Sequence, residues 1–165
     1  MSALQQIREL KPTLVRVAEP DDIPACKSIA DTHRNALGFI VAATFADAIQ
    51  RNQLFVAERE GEVVGFVRYN HRRRGHETAL YDIGVVWSAQ RQGIGRLLVE
   101  RLCESCRLYR RCAIVLRCPE NLPANAFYAR LGFQRISVEP GRRRPLVLWR
   151  LTLAEASCAL SLQPR

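Results

Sequence analysis

Between Asp82 and Cys106 the chain passes from strand to helix through a corner that carries two glycines. Asp82-Ile83-Gly84-Val85-Val86-Trp87 is a β-rich apolar run, and Gln90-Arg91-Gln92-Gly93-Ile94-Gly95-Arg96 is a polar turn. Apolar residues then recur at 94, 97, 98 and 102, the spacing of one helical face. A strand, a tight turn and a helix N-terminus in that order form an anion site. The first N–H groups of the helix lack internal partners, and the macrodipole adds partial positive charge there. Gly93 and Gly95 carry no Cβ, so phosphates can approach the backbone, and Arg91 and Arg96 can add charge-assisted hydrogen bonds. A Walker loop is excluded, because no Gly-x-x-x-x-Gly-Lys-Ser/Thr run exists. A dinucleotide fingerprint needs a small residue where Leu98 stands, so it fails as well.

At 165 residues, 48% of them hydrophobic and 25% charged, the chain fits one domain with a full core. It has no apolar run near the roughly 20 residues that span a bilayer, and residues 1–12 lack the apolar centre of a secretory signal. The six cysteines are expected to be reduced thiols in a cytoplasmic setting. The formal charge is +9, and apart from Lys11 and Lys27 every basic residue is arginine. Such a balance fits nucleic acid, an acidic surface or an anionic cofactor, and does not choose among them.

In chain order, residues 1–12 are a lead-in, residues 13–153 one domain, and residues 154–165 a tail. Leu14 to Ala18 reads as a strand, and Asp21-Asp22 opens a helix whose apolar residues are Ile23, Cys26, Ile29 and Ala30. Gly38 ends the helical region, and a second helix covers Thr44 to Arg51. Leu54–Glu60 and Val63–Tyr69 form a hairpin around Glu60-Gly61. After the central helix come a strand from Ala113 to Leu116, a short helix from Leu122 to Leu131 with Asn121 as N-cap, and two strands, Gln134–Glu139 and Pro145–Leu153. The order is β-α-α-β-β-β-α-β-α-β-β.

Two blocks carry a family resemblance. Gln90-x-x-Gly93-x-Gly95 resembles the acyl-CoA pyrophosphate loop of the GNAT N-acetyltransferases. About thirty residues later, Asn121, Tyr128 and Gly132-Phe133 stand in register with that family's second block. The resemblance implies an α/β fold in which a mixed, mostly antiparallel sheet of about six or seven strands is flanked by about four helices. Strands 4 and 5 splay, and acetyl-CoA lies between them as co-substrate, with no metal. It further implies that the Val85 N–H holds the thioester carbonyl and that the backbone through Val86 and Trp87 pairs with pantetheine. The N–H groups of Arg91, Gln92, Gly93, Ile94, Gly95 and Arg96 would bind the pyrophosphate. Asn121 would contact the pantetheine arm, and Tyr128 would act on the sulfur as general acid. The family often has proline or a small residue where Trp87 stands.

The general base is open. Some members place a glutamate five residues before the matched asparagine, where this chain has Leu116. Asp82, Glu77 and Glu120 are the nearby carboxylates; Asp82, inside an apolar strand, is preferred, with an ordinary ion pair to arginine as the competing account. Cys103-x-x-Cys106 lacks a second knuckle and reads as buried thiols. His33, His71 and His76 read as surface residues. The resemblance implies that the loop between the last two strands, which holds Arg142–Arg144, borders the acceptor site, and that suits an anionic acceptor.

The resulting expectation is an N-acetyltransferase acting by direct attack of a primary amine of a small molecule or protein. The alternatives are acetylation of aminoacyl-tRNA by a basic GNAT toxin and a CoA-binding sensor without catalysis. Family members are often dimers, and nothing points to a membrane.

Overall fold

The computed structural model describes residues 11–154, so the lead-in before Lys11 and the tail after Ala154 lie outside the described residues. Among the described residues seven strands form one sheet: β1 (Leu14–Val17), β2 (Leu54–Arg59), β3 (Glu62–His71), β4 (Glu77–Val85), β5 (Ala113–Pro119), β6 (Gln134–Glu139) and β7 (Leu146–Thr152). Their spatial order is β1-β2-β3-β4-β5-β7-β6. Every neighbouring pair is antiparallel except β4 and β5. The helices are α1 (Ile23–Thr32), the one-turn α2 (Arg34–Leu37), α3 (Ala42–Gln50), α4 (Ile94–Leu108) and α5 (Ala124–Arg130). None of the described helices is long and apolar enough to cross a membrane.

Both faces of the sheet are covered. On one, Ile94, Leu98 and Leu102 of α4 pack with Phe55, Val67, Leu116 and Trp149, and Tyr128 of α5 joins them. On the other, Ile29 of α1 and Phe45 of α3 pack with Val56 and Phe66. Two glycines set how closely the helices approach. A Cβ at Gly65 would lie 3.3 Å from Ile94 and Leu98 of α4, and one at Gly84 would lie 3.0 Å from Ile29 of α1. The neighbouring positions of β3 and β4 therefore fix which face is which.

Several boundaries differ from the sequence expectation. β5 runs to Pro119 rather than Leu116, because β7 pairs with it as far as Pro119 opposite Leu146. Asp21-Asp22 lie in a 3-10 turn before α1, and the buried Asp22 carboxylate takes two bonds from Arg16, at 2.8 and 2.9 Å. Pro123, not Asn121, stands at the N-cap of α5; Asn121 is exposed on the preceding turn.

His71 is not a surface residue. Its ring bonds Thr78 Oγ1 at 2.6 Å and Ser105 Oγ at 2.9 Å, and stacks on Tyr109. Burial, with help from Arg111, pulls its pKa down to about 4. The native state thus favours the neutral ring, whereas the unfolded chain protonates near 6.5. This contribution to stability is complete above about pH 6.5 and is lost as pH falls toward 4. The ring is only partly buried, so the effect is expected to be on the order of 1 kcal/mol. Thermal melts of His71→Gln should accordingly decline less than wild type between neutral and weakly acidic pH.

Candidate active site

β4 and β5 pair only at Glu77–Ala113, Thr78–Ile114 and Ala79–Val115. Beyond those three positions the strands separate, and a gap opens between Leu80–Val85 and the C-terminal half of β5. Strand alternation dictates what faces it. Val86 donates its N–H to Val64, so the Gly65–Val85 and Val67–Ile83 pairs are the non-hydrogen-bonded ones. The backbone N–H and C=O of Val85, and of Ile83 two residues earlier, consequently point away from β3 and into the gap. Among the described residues this edge of a central strand has no partner strand, an arrangement suited to an extended ligand that adds itself to the sheet.

The corner after β4 is tightly tied. Gln90 donates to the Val85 carbonyl at 3.3 Å, Gln92 donates to the Ser88 carbonyl at 3.2 Å, and Arg59 reaches the Gln92 side-chain oxygen. Gly93 is the N-cap of α4 with φ +82°, a left-handed conformation that favours glycine. No atom lies within 4 Å of where its Cβ would be. The first intrahelical bond runs from Leu97 N–H to the Gly93 carbonyl at 3.0 Å. The amides of Ile94, Gly95 and Arg96 thus precede the helical ladder, beside the exposed side chains of Arg91 and Arg96. Gly95 is also required by packing: a Cβ there would lie 2.9 Å from the ring of Phe127, which packs there from α5.

Tyr128 is buried between Phe127 and Phe133. Burial, then the neighbouring Cys118 and Asp82, raise its pKa well above the ordinary tyrosine value. The phenol is therefore protonated at any working pH, and its hydroxyl has no hydrogen-bond partner among the described residues.

Asp82 sits opposite Arg68, with Tyr81 as the extra residue of a β-bulge. Both guanidinium contacts, Nε at 2.7 Å and Nη2 at 2.5 Å, fall on Oδ2 and leave Oδ1 unengaged by Arg68. Burial raises this carboxyl's pKa against the pull of Arg68. The other carboxylates are differently placed. Glu77 pairs with Arg150 where β4 and β5 are still bonded, and Glu120 pairs with Arg135 on the surface.

Three features escaped the sequence reading. His33, expected on the surface, donates Nε2–H to the Val85 carbonyl at 2.6 Å and lies against the Trp87 ring, with centroids 4.5 Å apart. Asn125 binds the carbonyls of Pro119, Glu120 and Leu122 and accepts from the Trp149 indole at 2.8 Å, fixing α5 to β5 and β7. Arg144 joins the Asn121 side chain to the Asn35 carbonyl, so the β6–β7 loop meets α2 beside the gap. Each joins residues more than twenty positions apart, beyond the reach of any local pattern.

The profile of the Acetyltransferase (GNAT) family matches residues 20–133. The 5-NmdU N-acetyltransferase of Pseudomonas phage PaMx11 is 34% identical over 122 residues, covering 73% of this chain and 86% of the phage protein. Ard1 from Thermoplasma volcanium superposes with a TM-score of 0.78 at 21% identity, covering 87% of this chain and 99% of its own. The yncA protein of Salmonella typhimurium, solved with its cofactor acetyl-CoA, gives a TM-score of 0.72 at 21% identity, covering 88% and 96%. The parted central strands, the glycine corner and the sequence matches lead to one conclusion: this chain belongs to the GNAT family of acetyltransferases, and it is an N-acetyltransferase.

Proposed function

We propose that the chain transfers the acetyl group of acetyl-CoA directly to a primary amine, and that this amine is an aminomethyl group on ring carbon 5 of a deoxyuridine. The observation that carries the donor half is the unpaired edge of β4, which offers the N–H groups of Ile83 and Val85, together with the Tyr128 phenol that neighbours Asp82 of the same strand. The phage relative's name supports the acceptor half, and so does the basic surface: Arg34, Arg142 and Arg143 flank the junction made by Arg144.

The amides from Arg91 to Arg96 hold the pyrophosphate at the start of α4. The pantetheine arm passes Asn121 and pairs with the backbone at Val85 and Trp87; Val86, expected from the sequence to join them, does not, because its N–H is bonded to Val64 and its carbonyl to Ala89. The thioester oxygen takes an N–H from the open edge, with Val85 in that role and Ile83 the adjacent donor. Asp82 Oδ1 removes a proton from the ammonium, and the neutral amine attacks the carbonyl carbon. A C–N bond forms, and the negative charge gathers on the oxygen held by the edge N–H. The C–S bond then breaks, the proton shed by the new amide nitrogen passes to the departing sulfur, and Tyr128 holds that sulfur by a donated hydrogen bond.

The test is thiol release from acetyl-CoA with three acceptors: the aminomethyl nucleoside, free or within an oligonucleotide, a peptide with a free N-terminus, and a simple aliphatic amine. The nucleobase amine should be preferred by at least about tenfold, the scale of one discriminating contact. Turnover confined to the peptide would replace the acceptor class. Thiol release with none of them would leave a CoA-binding module.

A further inference from the structure

Trp87 is the most exposed aromatic side chain next to the open edge of β4, with 65% of its surface accessible. Isolated exposed aromatics are common on protein surfaces. This one differs in how it is held. Its ring rests against the His33 imidazole, and the imidazole is fixed by its bond to the Val85 carbonyl, the group that faces the gap. Because a carbonyl can only accept, Nε2 carries the proton, and the tautomer is set by this contact.

The indole also lies on a definite side of the sheet. His33 follows directly on α1, and α1 covers the face onto which Gly84 opens. The pyrophosphate corner and α4 belong to the opposite face, the one onto which Gly65 opens. An indole braced from the α1 side is therefore placed away from the nucleotide end of the donor. It stands two residues beyond Val85, about 7 Å along an extended backbone. That separation matches a planar ring whose exocyclic amine must reach the thioester carbon.

We infer that Trp87, braced by His33, is the platform on which the acceptor's heterocyclic base stacks. The inference rests on the nucleobase acceptor proposed above and deepens it by locating the base. Stacking on an aromatic side chain tolerates any planar base, because every base presents a π-face. Selection of the aminomethyl group would then fall to Asp82 and the thioester rather than to the ring.

Two measurements on the full chain test this. In the first, thymidine, which carries a methyl where the acceptor carries its aminomethyl group, is titrated into the protein saturated with coenzyme A. The fluorescence of Trp87 should quench in a saturable way, and the response should vanish in Trp87→Leu. Trp149, the other tryptophan, is buried and bonded to Asn125, so it provides a constant background. In the second, the ratio of kcat/KM for the aminomethyl nucleoside to that for an aliphatic amine is compared between wild type and Trp87→Leu. Any damage to acetyl-CoA binding cancels in that ratio, which should fall by about tenfold or more. An unchanged ratio with no thymidine quench overturns the platform, as does a quench produced by coenzyme A alone and not extended by thymidine. Failure of the acceptor assignment looks different: the wild type would then acetylate no nucleobase amine, while the thymidine titration would still report on Trp87.

Discussion

Tyr128→Phe is expected to lower kcat by about ten- to hundredfold at saturating acetyl-CoA and acceptor, while the KM for acetyl-CoA stays within about twofold. The ring is packed against Phe127 and Phe133, and phenylalanine keeps those contacts, so only the hydroxyl is lost. Burial raises the phenol's pKa far above the roughly 8.5 of a departing thiol, so complete proton transfer to sulfur is uphill. In the proposed mechanism the hydroxyl instead stabilises developing thiolate charge by one hydrogen bond. A bond to a charged group contributes about 1.5–3 kcal/mol, which sets the size of the expected loss. The same shift predicts a pH signature. An ordinary tyrosine would ionise near 10 and stop donating, whereas this one is still protonated there, so wild-type kcat should show no loss assignable to Tyr128 up to that pH. Single-turnover rates equal to wild type would remove Tyr128 from the mechanism.

Much of the fold was legible because its signals are local. The Glu60-Gly61 hairpin follows from a two-residue turn, and both residues take the positive φ values, 53° and 79°, that such turns require. The glycine corner was readable for the same reason, since Gly93 marks the chain's left-handed entry into α4. The parting of β4 from β5 was not encoded in any periodicity and came only through the family resemblance. Pairing stops after Ala79, yet Leu80, Ile83 and Val85 continue the same apolar pattern. Long-range polar contacts were hidden as well. His33 looked like an isolated histidine because its partner is a main-chain carbonyl 52 residues away. Asn125 sits within a helical stretch as an unremarkable polar residue until Trp149 of the last strand reaches it. The Asp82–Arg68 pair lies between these cases: it joins adjacent strands, but the bulge at Tyr81 shifts the register that places the two side chains opposite each other.

That bulge matters for the variant with the largest expected cost, Asp82→Asn. The substitution preserves shape but removes the proposed base, and kcat/KM at neutral pH should fall by about a hundred- to thousandfold. It also leaves Arg68 without its carboxylate in a site where both side chains are largely buried, so a loss of stability on the order of 2 kcal/mol is expected alongside. The two effects separate cleanly. Stability loss lowers the amount of folded enzyme and is corrected by counting sites with bound coenzyme A. Loss of the base changes the shape of the pH profile. In wild type, activity should decline as pH falls through the raised pKa of Asp82, because burial makes this carboxylate easier to protonate than an exposed one. In Asp82→Asn that limb should disappear, and the rate should climb with pH as the amine, whose pKa is near 10, deprotonates in solution. A variant that keeps both the wild-type profile and the wild-type rate per folded site would reduce Asp82 to a structural partner of Arg68. The proton would then have to leave by a water chain through the open side of the gap.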